Sequence, residues 1–178
     1  SQLKRKQLFC QITEKINGRQ SSIRLEANKL VTDIQWHREG NEMLSILIPT
    51  RDRVDLLRSC FESIRGHDPG CSIEVIVIDN DSEEIASIEF FEKLERGLYD
   101  FPVRVLKVSG AFNYSRINNL AAEIAYGSVL MLLNNDVEFR STGWGDIAIR
   151  NAIRPEVGCV GALLSYQDGT IQHAGVLT

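Results

Sequence analysis

From Leu44 onward, short apolar runs of strand type are separated by segments whose apolar residues recur at helical spacing. Leu44-Ser-Ile-Leu-Ile-Pro49 is stopped by proline, and Val54, Leu57, Cys60, Phe61 and Ile64 follow at intervals of three and four. Ile73 to Ile78 repeats the unit, with Ile85, Ile88, Phe91 and Leu94 after it. Val103 to Val108 is the third run, residues 115 to 126 the third helix with Ile117, Leu120, Ala121 and Ile124 inward, and Val129 to Leu133 the fourth run. Such alternation predicts an α/β fold: a Rossmann-like, mostly parallel sheet flanked by helices. Right-handed crossovers then bring every strand-to-helix loop to the carboxyl edge of the sheet. Four polar clusters end the strands: Pro49 to Asp52, Asp79 to Ser82, Gly110 to Ser115, and Asn134-Asn135-Asp136. The active site is expected where they converge.

Residues 1–42 have a different character. Leu8, Ile12 and Ile16 beside Phe9 suggest an amphipathic helix over residues 3 to 17, ended by Asn17-Gly18. The alternation at Ile23 and Leu25, then Leu30, Val31, Ile34 and Trp36, suggests one or two short strands. The expected division is an N-terminal extension, 1–42, and an α/β domain, 43–178. A length of 178 residues suits one main core plus such an appendage. Twenty Lys and Arg against 24 Asp and Glu leave a net charge of −4, so no global positive field argues for nucleic acid as a partner. Cys10, Cys60, Cys71 and Cys159 form no C-x-x-C pair, which fits reduced thiols better than a disulfide framework or a zinc site. No apolar run approaches the roughly 20 residues of a spanning helix. Nor does an apolar signal-peptide region follow Ser1 to Lys6. The expectation is a segment neither spanning nor exported, with Lys4-Arg5-Lys6 a solvated terminus.

A carboxylate just beyond a buried strand sits at a rigid margin and can hold a hard divalent cation, which makes Asp136 the candidate metal ligand. Asn134 and Asn135 can add carbonyl oxygens or water-mediated contacts; an Asn-Asp turn that merely caps the strand carries equal weight on the triplet alone. Asp79 is placed to accept a hydrogen bond from a base N–H or a ribose hydroxyl. The helix cap it might otherwise be is assigned to Ser82 with Glu83 and Glu84. Arg51 suits phosphate or a base, while Arg53 is read as solvated. Asn113 and Asn118 lie on a loop and the first turns of a helix whose N–H groups favour anions. Their plainer reading is that Asn113 or Ser115 caps the helix, a role taken for Ser115, and that Asn118 ties it to a strand. His173, beside Ala174-Gly175, could ligate metal or touch a diphosphate; His37 and His67 have no such setting.

Together, Ser45 to Asp52, Val77 to Ser82, Phe112 to Ser115, Leu132 to Asp136, Gly143-Trp144 and Gln172 to Gly175 resemble, in order and spacing, the inverting nucleotide-sugar glycosyltransferases of family 2, which have the GT-A fold. The resemblance runs from about Leu44 to Thr178. It implies that Pro49, Thr50 and Arg51 line the nucleotide base, that Asp79 holds base or ribose, and that Asn113 and Asn118 belong to the nucleotide site. It further implies that Asn134, Asn135 and His173 meet the sugar diphosphate and that Asp136 ends a motif holding Mn²⁺ or Mg²⁺. The implied donor is a nucleotide-diphosphate sugar, a UDP-sugar first, and the acceptor a glycan or polysaccharide. The implied location is cytoplasmic, at the cytoplasmic face of the membrane in a full-length protein. Two departures stand out: Asn-Asn-Asp where many relatives carry two acidic residues, and Asn80-Asp81 in place of the commoner Asn-Gly.

In this family the general base lies in a later acidic motif, past the Gln-His-Ala-Gly segment. The expectation is therefore a donor-binding portion without the base, Asp168 being a poor substitute in its turn before Gly169. Exposed sheet edges in such a portion would favour self-association. A dinucleotide-binding oxidoreductase is disfavoured because Ile48 is followed by Pro-Thr-Arg-Asp and not by G-x-G-x-x-G, and no P-loop motif occurs. A nucleotidyltransferase would start with a glycine-rich basic loop after the first strand. The alternative that stays open is a non-catalytic module binding nucleotide sugar or a partner protein, with residues 1–42 as its contact surface.

Overall fold

All four apolar runs form strands, and they hydrogen-bond into one parallel sheet. The computed structural model describes residues 11, 21–25, 32–38 and 40–175. In chain order its strands are β1 (Ser21–Leu25), β2 (Thr32–Trp36), β3 (Leu44–Thr50), β4 (Ile73–Asp79), β5 (Val103–Lys107), β6 (Val129–Leu132), β7 (Leu164–Ser165) and β8 (Ile171–His173). The helices are α1 (Val54–Gly66), α2 (Ile85–Glu95), α3 (Tyr114–Ile124) and α4 (Trp144–Ala152). Contacts divide the chain into two compact units, Arg38–Ile149 and a second made of Ser1–His37 with Arg150–Thr178. The sequence boundary at residue 42 cuts the chain once, whereas the contacts cut it twice.

In the first unit the strand order is β5-β4-β3-β6. Leu47 is the register partner of both Ile76 and Leu132, and Val77 that of Val105. The chain thus steps outward from β3 to β5, then returns past its start to add β6 on the other side. Right-handed crossovers send α1 and α2 to one face and α3, on the return, to the opposite face. Accordingly Leu47, Ile76 and Ile78 cluster with Val108 and with Ile117 and Ala121 of α3. Side-chain alternation turns Ile46, Ile48, Val75 and Val77 to the other face. The buried α1 and α2 residues Leu57, Phe61, Ile64, Phe90 and Leu94 belong to that layer. Phe61 organises it: its ring centroid lies 6.2 Å from Phe90, 5.0 Å from Tyr99 and 6.0 Å from Phe101. Each such buried side chain contributes about 1.5–3 kcal/mol of transfer free energy.

The first strand runs through Pro49 to Thr50, past the proline expected to stop it. Leu47 O accepts from Leu133 N at 2.9 Å on the β6 side, and Thr50 O from Asn80 N at 2.9 Å on the β4 side. Alternation therefore aims the N–H that Pro49 lacks toward the β6 side, beyond Leu132, where that ladder has ended. No bond is lost, and β3 projects beyond its neighbour. β6 is an edge strand with Leu130 and Leu132 exposed.

At the opposite end of the sheet, Glu74 is buried among donors. Its Oε1 accepts from Ser45 Oγ at 2.6 Å and from the Tyr126 N–H, and its Oε2 accepts from Arg104 Nη2 at 2.6 Å. Gly127 N donates to Ser45 Oγ at 2.8 Å, and a Cβ on Gly127 would lie 2.6 Å from the Met43 carbonyl oxygen, so only glycine fits here. This network ties β3, β4 and β5 to the α3–β6 connection.

The second unit holds the antiparallel pairs β1–β2 and β7–β8. Arg150 Nη1 donates to Trp36 O at 2.7 Å, and the Arg154 guanidinium lies 4.3 Å over the Trp36 ring. The expected Tyr166–Thr170 turn forms, with Asp168 Oδ1 accepting from Thr170 N at 2.9 Å. Apart from Gln11, the amphipathic helix expected over residues 3 to 17 lies outside the described residues.

The three described cysteines are free thiols, with Cys60 buried, Cys71 half-buried and Cys159 exposed. Burial, with the nearby charges of Asp136 and Glu138, pushes the Cys60 thiol up to about 12. In a Cys10→Ser background, an aromatic disulfide reagent at pH 8 is expected to titrate Cys159 first, Cys71 more slowly, and Cys60 only after unfolding. Rapid labelling of Cys60 in the folded protein, read by peptide mass spectrometry, would contradict this packing.

Candidate functional site

The reversal of strand order between β3 and β6 leaves a crevice at their carboxyl ends, the place where open α/β sheets bind ligands. A cleft of about 420 Å³ lies there. Pro49, Thr50 and Arg51 line it from the end of β3, and Asn134, Asn135 and Asp136 from the loop after β6. Asn80 comes from the β4 loop, Phe112 from the loop before α3, and Tyr114 from the first position of α3. All four polar clusters contribute.

The loops are stapled to one another. Asn135 Nδ2 donates to Thr50 Oγ1 at 3.0 Å, joining the last loop to the first. Asp52 joins the first to the second: its N–H donates to Ser82 Oγ at 2.8 Å, and its Oδ1 accepts from the N–H groups of Glu83 and Glu84, both at 2.8 Å. Asn80 Nδ2 reaches Val108 O at 2.9 Å and Gly110 O at 3.0 Å, joining the second to the third. Asp52, Arg53 and Asp81 adopt left-handed backbone conformations, with φ of 54°, 51° and 58°. Non-glycine residues hold such conformations where surrounding bonds enforce them, as those on Asp52 do. Asp81, where the resemblance had Asn-Gly as the commoner pair, sits where glycine would also fit.

These bonds correct three expectations. Ser82 does not cap α2: the cap is Glu84, without a side-chain bond, and the carboxylate that takes up the neighbouring N–H groups is Asp52, from a loop distant in sequence. Ser115 does not cap α3: Asn113 does, its Oδ1 accepting from Arg116 N at 2.9 Å. Asn118 does not reach a strand: it is buried, and its Nδ2 donates to Tyr114 O at 2.8 Å within its own helix.

Of the residues singled out in sequence, Pro49, Thr50, Arg51, Asn134, Asn135 and Asp136 share the cleft. Asp79 lines a neighbouring cleft of about 230 Å³ on the β5 side, and its Oδ1 accepts from Ser82 N at 2.9 Å. Asn113 and Asn118 are engaged as described. His173 is exposed in β8, in the second unit. Sequence reasoning placed Asn80, Phe112 and Tyr114 in the converging polar clusters but gave none of them a role of its own. Phe112 is 66% and Tyr114 42% exposed, although both are aromatic. Two aromatic residues on a polar loop at a strand's carboxyl end were the available signal.

The donor set also bears on a metal. Among the described residues no group of three His, Cys, Asp or Glu is placed to hold one. Asp136 is exposed and, among the described residues, is the one carboxylate in the cleft lining, beside the amides of Asn134 and Asn135. With Nδ2 spent on Thr50, Asn135 keeps its carbonyl oxygen as an acceptor. One charge and neutral oxygens fit Mg²⁺ or Mn²⁺ that draws its remaining ligands from water and a diphosphate. They do not fit a tight all-protein cage.

A family model described as "Glycosyl transferase family 2" matches residues 45–173. Over 142 residues the chain is 45% identical to an uncharacterized protein of Sinorhizobium fredii (strain NBRC 101917 / NGR234), covering 80% of this chain and 15% of that protein. Over 149 residues it is 36% identical to the O-antigen biosynthesis protein RfbC of Myxococcus xanthus, covering 81% of this chain and 11% of that protein. It therefore spans well under a fifth of either relative. Among solved structures, a mannosyltransferase from Pyrobaculum calidifontis in complex with GDP-Man and Mn²⁺ superposes with a TM-score of 0.57 at 18% identity, covering 67% of this chain and 35% of that one. That likeness is one of fold, and it matches the GT-A architecture expected from the sequence.

Proposed function

The chain belongs to glycosyl transferase family 2, and from that premise we propose that its cleft binds the diphosphate end of a nucleotide-sugar donor, a UDP-sugar first. The activity is inverting, metal-dependent transfer of a hexosyl group to a glycan acceptor in polysaccharide assembly on the cytoplasmic side. One observation carries the reading: four polar loops meet at the strand-order reversal around a cleft with a single carboxylate, Asp136.

Pro49, Thr50 and Arg51 bound the nucleoside, with Arg51 free to turn its guanidinium to phosphate because its pairing with Glu83, at 3.4 Å, is solvent-exposed and weak. Asn134 and Asn135 orient the diphosphate, and the bond from Asn135 to Thr50 fixes the distance between the two ends of the donor. Asp79 serves the base or ribose from the adjoining cleft. Asp136 holds Mn²⁺ or Mg²⁺, which when bound neutralises the charge of the departing nucleoside diphosphate. Inversion also needs a base on the opposite face of the sugar. A carboxylate committed to a cation cannot serve there, so the base comes from a residue outside the cleft lining. The exposed apolar face of β6 supports keeping self-association within the reading.

Calorimetric titration with UDP, with Mn²⁺ and with chelator, tests the proposal, alongside donor hydrolysis. The expected result is saturable binding that needs the cation. Equal affinity in chelator, or no binding of any nucleoside diphosphate, would overturn it; binding without hydrolysis or transfer to any acceptor would favour the non-catalytic module.

A further inference from the structure

Phe112 hangs on the connection between Lys107 and Tyr114, which has no regular structure, and Tyr114 opens α3 at its end. Something must hold the exposed Phe112 at the cleft, because a solvated loop of this length would otherwise sample many conformations, each binding event then carrying the cost of ordering it. Asn80 fixes the beginning of the loop through Val108 O and Gly110 O. The second anchor is Asp81, whose Oδ2 accepts from Gly110 N at 2.8 Å. Gly110 itself has φ of 102°, so the bond catches the loop where its backbone turns. That N–H and the Ser109 hydroxyl also hold the Asp81 carboxyl below its ordinary range.

Asp81 achieves this at a backbone position that disfavours it. With φ of 58° it occupies the left-handed region, where glycine carries no steric penalty. A residue wanted only for the turn would be glycine; the carboxylate has a use that glycine lacks. Asp81 lines the smaller cleft beside Asp79 and not the larger one, so its effect on the larger cleft passes through the loop.

We infer that Asp81 is a positioning residue: by bonding the Gly110 N–H it locks the loop that carries Phe112 and leads into α3, and keeps the cleft pre-organised for the nucleoside diphosphate. The inference rests on the function proposed above. Its sign is distinctive. Removing a negative charge near an anionic ligand should tighten binding by relieving Coulomb repulsion, and glycine at a left-handed position should ease the backbone. Loss of the lock works against both.

The test compares wild type, Asp81→Gly and Asp81→Asn by UDP titration with Mn²⁺, thermal melting and amide hydrogen exchange at Gly110 in the free protein. Asp81→Gly is expected to weaken UDP by about tenfold, the worth of one charge-assisted bond, with an unchanged or raised melting temperature and lost protection at Gly110. Asp81→Asn keeps an acceptor oxygen and tolerates the left-handed conformation, so it should stay within about twofold of wild type and protect Gly110. Wild-type binding that Asp81→Gly leaves unchanged or tightens, or Gly110 protection that it leaves intact, overturns the positioning role alone. Absence of UDP binding in the wild type overturns the functional reading and this inference with it.

Discussion

Asp136→Ala is expected to abolish cation-dependent UDP binding, raising the dissociation constant in Mn²⁺ by about 100-fold or more, roughly 2.7 kcal/mol. The size follows from the donor set. Asp136 is the one carboxylate lining the cleft, so its loss leaves only neutral amide oxygens beside a diphosphate and a divalent cation. Asn134 and Asn135 cannot replace a formal charge, and no second carboxylate among the described residues lines the cleft. Because Asp136 is exposed, the melting temperature of the free protein should hardly move. Asp136→Asn keeps an oxygen and loses the charge, so it should fall between the two. Calorimetry with Mn²⁺ and with chelator reads all three proteins. An unchanged, metal-dependent affinity in the alanine variant would remove Asp136 from the site.

The second large effect is on stability. Glu74→Gln should lower the unfolding free energy by about 3–5 kcal/mol at pH 7, a large part of the roughly 5–15 kcal/mol that holds a domain of this size together. Glu74 is almost wholly buried, and its charge is matched by Arg104, Ser45 and the Tyr126 N–H. Glutamine cannot accept through both ends, and it leaves Arg104 beside a neutral group. The pH dependence has a definite sign. Burial alone would raise the carboxyl above its ordinary 4.5, but the bonds from Ser45, Tyr126 and Arg104 together outweigh it and hold it lower. A carboxyl lowered on folding stabilises above its unfolded value and loses that contribution as pH falls through the folded one. The wild type should therefore be more stable than Glu74→Gln at neutral pH, with the gap closing as acid is added below about 4.5. Urea denaturation across that range checks it; a gap that stays constant on acidification would mean that charge has no part in the effect.

Glu74 also marks a limit of sequence reasoning. In Ile-Glu-Val-Ile-Val-Ile it reads as a polar interruption of a strand, yet both Ser45 and Arg104, which make its burial tolerable, come from neighbouring strands about thirty residues away. The same holds for the caps. Ser82 with Glu83 and Glu84 looks like a helix start because local pattern is all that a sequence displays. The acceptor that takes up the Glu83 and Glu84 N–H groups, Asp52, arrives from another loop. Asp79 fits the same account: its position at a strand end was legible, whereas its place in the smaller cleft depends on β5, and not β6, being the neighbour of β4. Phe112 and Tyr114 were named only within a polar cluster and without a role of their own, since aromatic side chains are usually buried, and only the fold shows them exposed at the cleft.

What the residues by themselves determined was the kind of each element from β3 to β6 and the edge at which the polar loops gather. Hydrophobic period sets strand or helix locally, and the handedness of crossovers fixes one edge for all the loops of a parallel sheet. Strand order was decided only in three dimensions. Whether β6 would add beside β5 or beside β3 depends on which sheet edge lets α3 bury Ile117 and Ala121 better, a comparison among distant surfaces that no local window contains. The chain returned to β3, and that return brought Thr50 within a hydrogen bond of Asn135 and opened the cleft beside Asp136.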